Sequence, residues 1–320
     1  MEPRTRNVWI IVVLILVGLC CCALAIAGAA VGGFGIWSSD YSWGGSTSFE
    51  RERLEQSFDV GDAPGLEIDN FAGSVTVRAG EGDTIRVVAT KRATRRSDLD
   101  RIQVEMSERD GGLVIKTQKS SGLNRAWVEL EITTPTRTRL ELHSGSGSVD
   151  VRGLRGDAKV VSGSGSLTIA DMTGDVDVHS GSGSLAIANV TGRIEADSGS
   201  GSMTIVNVTG EIGAHCGSGG IDVRQAAGPA RLGTASGSID YQGTPQGDCR
   251  YETTSGSVRL VLPADLNMEV DLSTGSGSVN VDYAVDGRVT RRAVKGTIGV
   301  GNEGKIYAHT GSGNIDVIHR

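Results

Sequence analysis

The sequence is poor in the residues from which catalytic pockets and nucleic-acid surfaces are usually built. Aromatic residues make up 4% of its 320 positions and proline occurs six times. There is thus little to wall a sugar or a base with stacked rings. Basic charge is not in excess: the formal net charge is -7, and it resides beyond residue 43, because Glu2, Arg4, Arg6 and Asp40 cancel. That balance excludes a protein whose work is neutralising phosphates along a nucleic acid. Cysteine is scarce outside one segment, since Cys20, Cys21 and Cys22 fall in an apolar run and leave only Cys216 and Cys249. No Gly-Lys-Ser/Thr ending turns any of the glycine-rich stretches into a phosphate loop, and no cofactor is expected.

What the sequence has in abundance is glycine, 47 residues, about twice the usual share. Much of it belongs to one phrase: SGSGSVDV from Ser144, SGSGSLTI from Ser162, SGSGSLAI from Ser180, SGSGSMTI from Ser198 and CGSGGIDV from Cys216. Its second glycine falls at Gly147, Gly165, Gly183, Gly201, Gly219 and Gly237, an interval of 18 each time, and weaker copies place it at Gly256, Gly277, Gly296 and Gly313. A fixed period of this size marks a repeat architecture, in which each unit buries its apolar face only against its neighbours. In register with the phrase run apolar columns: Val149, Leu167, Leu185, Met203, Ile221; then Val151, Ile169, Ile187, Ile205, Val223. Further columns hold Leu154, Met172, Val190, Val208, Ala226 and Ala158, Val176, Ile194, Ile212, Ala230, with a glycine between them at Gly156, Gly174, Gly192, Gly210 and Gly228. A glycine at one place in every copy is the mark of a backbone corner. The fold class predicted is all-β, a single-stranded β-solenoid (β-helix) of about ten 18-residue coils, roughly 45 to 50 Å long at about 4.8 Å per coil. Asp171, Asn189, Asn207 and Gln225 fall one above another, as a side-chain ladder requires; Asn189 and Asn207 also begin Asn-Val-Thr glycosylation triplets. On this spacing Cys216 and Cys249 stand about two coils apart, beyond disulfide reach, and are expected as isolated thiols.

Residues 8–31 form an uncharged run long enough to cross a bilayer as a helix, behind Arg4 and Arg6. It reads as an anchor with the N-terminus inside, or as a signal peptide cleaved near Ala25-Ile26-Ala27. Either reading exports the rest. The predicted boundaries are 1–36 for the cytoplasmic stub and anchor, 37–57 for a juxtamembrane linker, 58–142 for an irregular β entry and 143–320 for the regular coils. The basic cluster Lys91, Arg92, Arg95 and Arg96 is expected in a loop of the entry segment. No capping helix follows the strand-like residues 314–318, which are expected to leave an open edge.

Two columns could carry chemistry. His179, Asp197 and His215 occupy one outward position on three consecutive coils, about 4.8 Å apart, near enough for two imidazoles and a carboxylate to share a metal ion or a proton. Asp222 and Asp240 pair on adjacent coils as acid/base carboxylates do, though Thr204 and Arg259 flank them in the same column. Ser182 and Ser200 have no His or Lys partner set by spacing, and repetition of the phrase assigns such serines to the corner.

The repeated SGSGSVDV-type phrase, the alternating entry segment, the strand ends Thr134-Pro135 and Leu262-Pro263, and the exported anchor together resemble a bacterial envelope family described as "putative adhesins" with β-strand repeats. The resemblance covers residues 58–320. It implies a β-solenoid ectodomain on the outer side of the cell membrane and supplies no enzymatic residues. The function expected is that of a non-catalytic, membrane-anchored envelope protein presenting its solenoid for adhesion or for contact with an envelope protein or surface polymer. Two other readings stand beside it: a glycan-binding or glycan-cleaving β-helix module, and a scaffold of copies assembled end to end.

Overall fold

The computed structural model describes residues 49–320 and the backbone of the strand Ile36–Ser38. The expected anchor at 8–31 and residues 39–48 of the linker lie outside the described residues. Among the described residues no helix is long and apolar enough to cross a membrane, and the one helix is the short turn Arg96–Leu99.

The described residues build two 14-stranded sheets, sheet A and sheet B. Each 18-residue repeat gives one strand to each. In residues 158–173, for example, Ala158–Ser164 joins sheet B and Leu167–Thr173 joins sheet A. Pairing between coils is parallel and in register, so Val176 meets Ile194 and Ile194 meets Ile212. Alternation along each strand sends every second side chain between the sheets. In residues 176–191 those are Val176, Val178, Leu185, Ile187 and Val190, each at most 1% exposed. Burying a side chain of this kind contributes about 1.5 to 3 kcal/mol relative to exposure. All four predicted apolar columns lie in this core.

The two turns of the coil have separate causes. Between the sheet B and sheet A strands the phrase makes a corner at its second glycine, where φ is +118° at Gly165 and +119° at Gly201. A Cβ on Gly165 would stand 2.1 Å from the carbonyl oxygen of Gly147 one coil away, so stacking and conformation both exclude a side chain. The first residue of the phrase points inward and satisfies that corner: Ser198 Oγ donates to the Ser200 carbonyl at 3.1 Å, and Thr253 and Thr310 donate to the Gly237 and Gly256 carbonyls at 2.9 and 2.8 Å. Cys216 takes the serine's place, its Sγ 3.1 Å from the Gly201 oxygen; it and Cys249 are buried and free. At the other turn Asp171, Asn189, Asn207 and Gln225 adopt φ of 55° to 58°, the left-handed region that Asn and Asp tolerate best. Asn207 Nδ2 donates to Asn189 Oδ1, and Asn189 Nδ2 to Asp171 Oδ1, both at 2.8 Å, which is the predicted ladder.

Eleven parallel coils result, and at both ends the stacking order departs from chain order. Residues 65–80, within the segment read as an irregular entry, form a coil between those of 112–135 and 139–152. The C-terminal coil, 305–319, lies between 249–262 and 268–281. The strand Ile315–His319 therefore has a neighbour on each side, and the open C-terminal edge expected from the sequence does not exist. Gly296 is not a corner of the phrase either. It sits in the strand Ala293–Ile298, opposite Gly287 in an antiparallel hairpin. Alternation alone could not distinguish a returning hairpin from another coil.

Antiparallel strands close the stack. At the N-terminal end Thr84–Ala93, Glu50–Asp59 and Ile36–Ser38 extend sheet A, and Ile102–Arg109 extends sheet B. Residues 50–57, read as linker, thus belong to the strand Glu50–Asp59. The basic cluster is not a loop. Lys91 lies on Thr84–Ala93, 8% exposed and 3.1 Å from Glu52; Arg92 lies on the same strand, 2.9 Å from Glu129; Arg95 directly precedes the short helix that Arg96 begins.

Candidate functional site: a histidine column and its groove

The outward positions of sheet B form continuous columns, because parallel in-register pairing puts residue i of one coil beside its equivalent in the next. One column brings together the predicted residues: His179 pairs with Asp197 and Asp197 with His215. It continues through Gly233 and Glu252 to His309 on one side and through Val161 to His143 on the other. Four of the chain's five histidines fall in this one column.

The centre is a carboxylate between two imidazoles. Asp197 Oδ2 lies 3.1 Å from His179 Nδ1, and Asp197 Oδ1 lies 3.7 Å from His215 Nδ1. The other nitrogen of His179, Nε2, is 3.0 Å from Asp177 Oδ1, two residues back on its own strand. The side chains are about half exposed, at 43% for His179, 44% for Asp197 and 58% for His215, so each pair contributes no more than about 1 kcal/mol. His309 is oriented separately, its Nδ1 3.0 Å from Ser273 Oγ. Among the described residues no three His, Cys, Asp or Glu side chains are placed to hold a metal ion; the two imidazoles approach opposite oxygens of Asp197 instead of a common point.

Beside the column runs an open groove of about 920 Å³, floored by Gly181, Gly199 and Gly217 and walled by His179, His215 and His309. The floor has a structural origin. A Cβ on Gly181, Gly199 or Gly217 would lie 2.5 to 2.6 Å from the carbonyl oxygen of a glycine in the preceding coil. Stacking thus removes the side chains next to the column in these coils and leaves a trench along the sheet, with Ala235 and Thr254 at the floor position in the next two. It spans seven sheet B strands, from Ala158–Ser164 to Lys305–Ser312, or about 29 Å at 4.8 Å per step.

The second predicted column is less suited to chemistry. Asp222 and Asp240 do pair, with Arg259 next in line. However, Asp222 Oδ2 lies 2.5 Å from the Arg224 guanidinium, and Arg224 and Arg259 line the same shallow pocket. The Asp222 carboxylate is thus already engaged by a cation.

Sequence reasoning missed His143, Glu252 and His309 as members of the column. His143 was within reach, lying 36 positions, two periods, before His179. Glu252 follows a 19-residue interval, and His309 belongs to a coil stacked out of chain order, so no spacing rule connects them.

These observations define the molecule as a two-sheet β-solenoid with a chemically patterned outer face. Residues 65–318 match the Toastrack DUF4097 family, and the chain belongs to that family. No curated protein sequence matches it significantly. Among solved structures it is similar to a "putative adhesin" from Parabacteroides merdae, at 11% identity over 82% of this chain and 95% of that one, with a TM-score of 0.49. Another "putative adhesin", from Bacteroides fragilis, aligns at 13% identity over 83% and 97%, with a TM-score of 0.36. A "putative lipid binding protein" from Parabacteroides distasonis aligns at 10% identity over 82% and 96%, with a TM-score of 0.31.

Proposed function

We propose that this is a non-catalytic, membrane-anchored envelope protein that holds its β-solenoid outside the cytoplasmic membrane and uses sheet B for adhesive contact with an extended polymer of the envelope or cell surface. The observation that carries the reading is the groove. It is long and open, has a floor of small residues that is glycine in most of its coils, and has imidazoles and carboxylates along one wall. An enclosed pocket suits a small substrate, whereas a trench of about 29 Å suits a chain with its own repeat. The uncharged 8–31 segment behind two arginines supports the membrane placement.

The test uses the full chain, extracted in detergent and immobilised, with fragments of native envelope as the sample. Capture should fall at least tenfold when Asp197→Lys and Glu252→Lys are introduced together, and should persist with Thr204→Glu on the opposite sheet. Equal capture by both variants, or none by the unaltered chain, would overturn the assignment of the face. Release of the chain from membranes by alkaline carbonate would overturn the anchor.

A further inference from the structure

Sheet B ends in an edge strand, Val285–Val289, of sequence Val-Asp-Gly-Arg-Val, whose outer side has no neighbouring strand among the described residues. Its backbone direction follows from the hairpin it forms. Thr290 N–H donates to the Ala293 carbonyl at 2.8 Å. In antiparallel pairing bonded and non-bonded pairs alternate, so Arg288 with Lys295 and Asp286 with Thr297 are the next bonded pairs. The N–H and C=O groups of Val285, Gly287 and Val289 therefore point away from the molecule. On the far side of the hairpin Thr274 N–H donates to the Arg292 carbonyl at 2.9 Å, in the same alternation.

We propose that this edge pairs with the same edge of a second copy of the chain, antiparallel about Gly287, so that sheet B runs continuously through a two-fold dimer. Such a register sets Asp286 opposite Arg288 of the second copy, Arg288 opposite its Asp286, and Val285 opposite its Val289. It also makes Gly287 face Gly287 as a bonded pair, and the pairs of Val285 with Val289 are bonded too, which matches the outward-pointing groups. The side chains agree. Val285 and Val289 stand beside Ile298 and Val294, on the face that meets the core, and Val289 is 62% exposed. Asp286 and Arg288 lie on the other face with no ion-pair partner among the described residues. Within its own sheet Arg288 sits opposite Lys295, a like charge, whose own partner is Asp271 at 3.4 Å. Asp286 of a second copy supplies the compensation that the molecule lacks. Sheet B also projects two strands past the last strand of sheet A, Val279–Val281, which leaves the edge accessible. Short charged edges normally prevent association; here the charges are arranged so that the strand complements itself. A contact of this kind uses one patch on each copy and closes, so it gives a dimer and not a fibre.

The test is a charge swap in the full chain in detergent, with mass read by light scattering across concentrations. The unaltered chain should dimerise. Asp286→Arg alone makes the edge wholly basic and Arg288→Asp alone makes it wholly acidic; each should weaken dimerisation at least tenfold, since both cross-strand charge pairs of the dimer turn from attractive to repulsive. A mixture of the two variants should form heterodimers, and the double variant Asp286→Arg, Arg288→Asp should dimerise as the unaltered chain does, which also shows that the substitutions leave the fold intact. A strict monomer, or single variants that dimerise like the unaltered chain, would overturn the proposal.

Discussion

Substitution of one corner glycine tests the physical account of the fold most directly. Gly201 has φ +119°, and a Cβ there would lie 2.2 Å from the Gly183 carbonyl oxygen. An ordinary contact needs at least 3.4 Å, so in Gly201→Ala the backbones must separate by about 1 Å. They are joined at that point by Gly183 N–H to Ser200 O at 3.1 Å and Leu185 N–H to Ser202 O at 3.0 Å. The strained backbone costs about 1 to 3 kcal/mol, and weakening two hydrogen bonds costs about 1 to 3 kcal/mol more. A loss of about 4 kcal/mol is expected. Gly122→Ala is the control: its φ is +84°, and a Cβ there would meet nothing within 4 Å, so it should lose only about 1 to 2 kcal/mol. Urea unfolding of the two variants, followed by circular dichroism, reads the difference. Because a repeat stack can unfold in parts, a second transition in Gly201→Ala counts as the same local loss. If Gly201→Ala is no less stable than Gly122→Ala, the stacking argument for the glycine columns fails.

Three further outcomes follow from other parts of the fold. Asn189, at φ 56° within the amide ladder, should lose about 1 to 2 kcal/mol as Asn189→Ala but well under half of that as Asn189→Gly; equal losses in thermal melts would put the cost in the ladder alone. Burial raises the phenols of Tyr241 and Tyr251 above their ordinary 10.0 and the thiol of Cys249 above 9.0, with Tyr283 pushed up to about 12. All four are neutral when protonated, so their stabilisation is complete below about pH 9 and is lost as pH rises through 9 to 12 while the unfolded chain ionises. Neither the Tyr241 nor the Tyr251 hydroxyl has a hydrogen-bond partner in good geometry; Tyr251→Phe should therefore stay within about 1 kcal/mol of the unaltered chain at pH 7 and unfold at higher pH in an alkaline titration, and an unchanged alkaline midpoint would refute this. Truncation after Glu303 removes an internal coil, so the strand Met268–Ser276 should lose its protection from amide exchange together with Cys249–Ser255, whereas loss of a terminal coil would spare the latter.

The repeats were legible because every level of the sequence agreed. Period, apolar columns and corner glycines all follow from stacking identical units, and the structure places Leu185, Ile187, Val190 and Val176 in the core as the columns require. What the sequence concealed lies where the units stop being identical. Gly296 has the phrase's spacing but lacks its Ser-Gly-Ser context, and only long-range pairing shows that its strand returns antiparallel. The coil of 305–319 carries a proper copy, yet its place between 249–262 and 268–281 depends on loop lengths and on which edge remains open. The central triplet of the histidine column came from counting by 18. Its outer members needed the true stacking order.

Stacking also determines where this molecule can vary its chemistry. The inward positions must be apolar, the first residue of the phrase must be small and polar, and the corners must be glycine or tolerate a left-handed backbone. On sheet B that leaves two outward columns per strand, one passing through Asp177 and Glu195 and one through His179 and Asp197. The third outward position is the glycine floor. Four of five histidines gathered in one of those columns is therefore a choice made where the fold imposes none. A fold that needed only solubility could have placed any polar residue there. The imidazoles and the carboxylates between them are the part of the chain that its architecture does not explain, and they border the groove on which the proposed polymer contact rests.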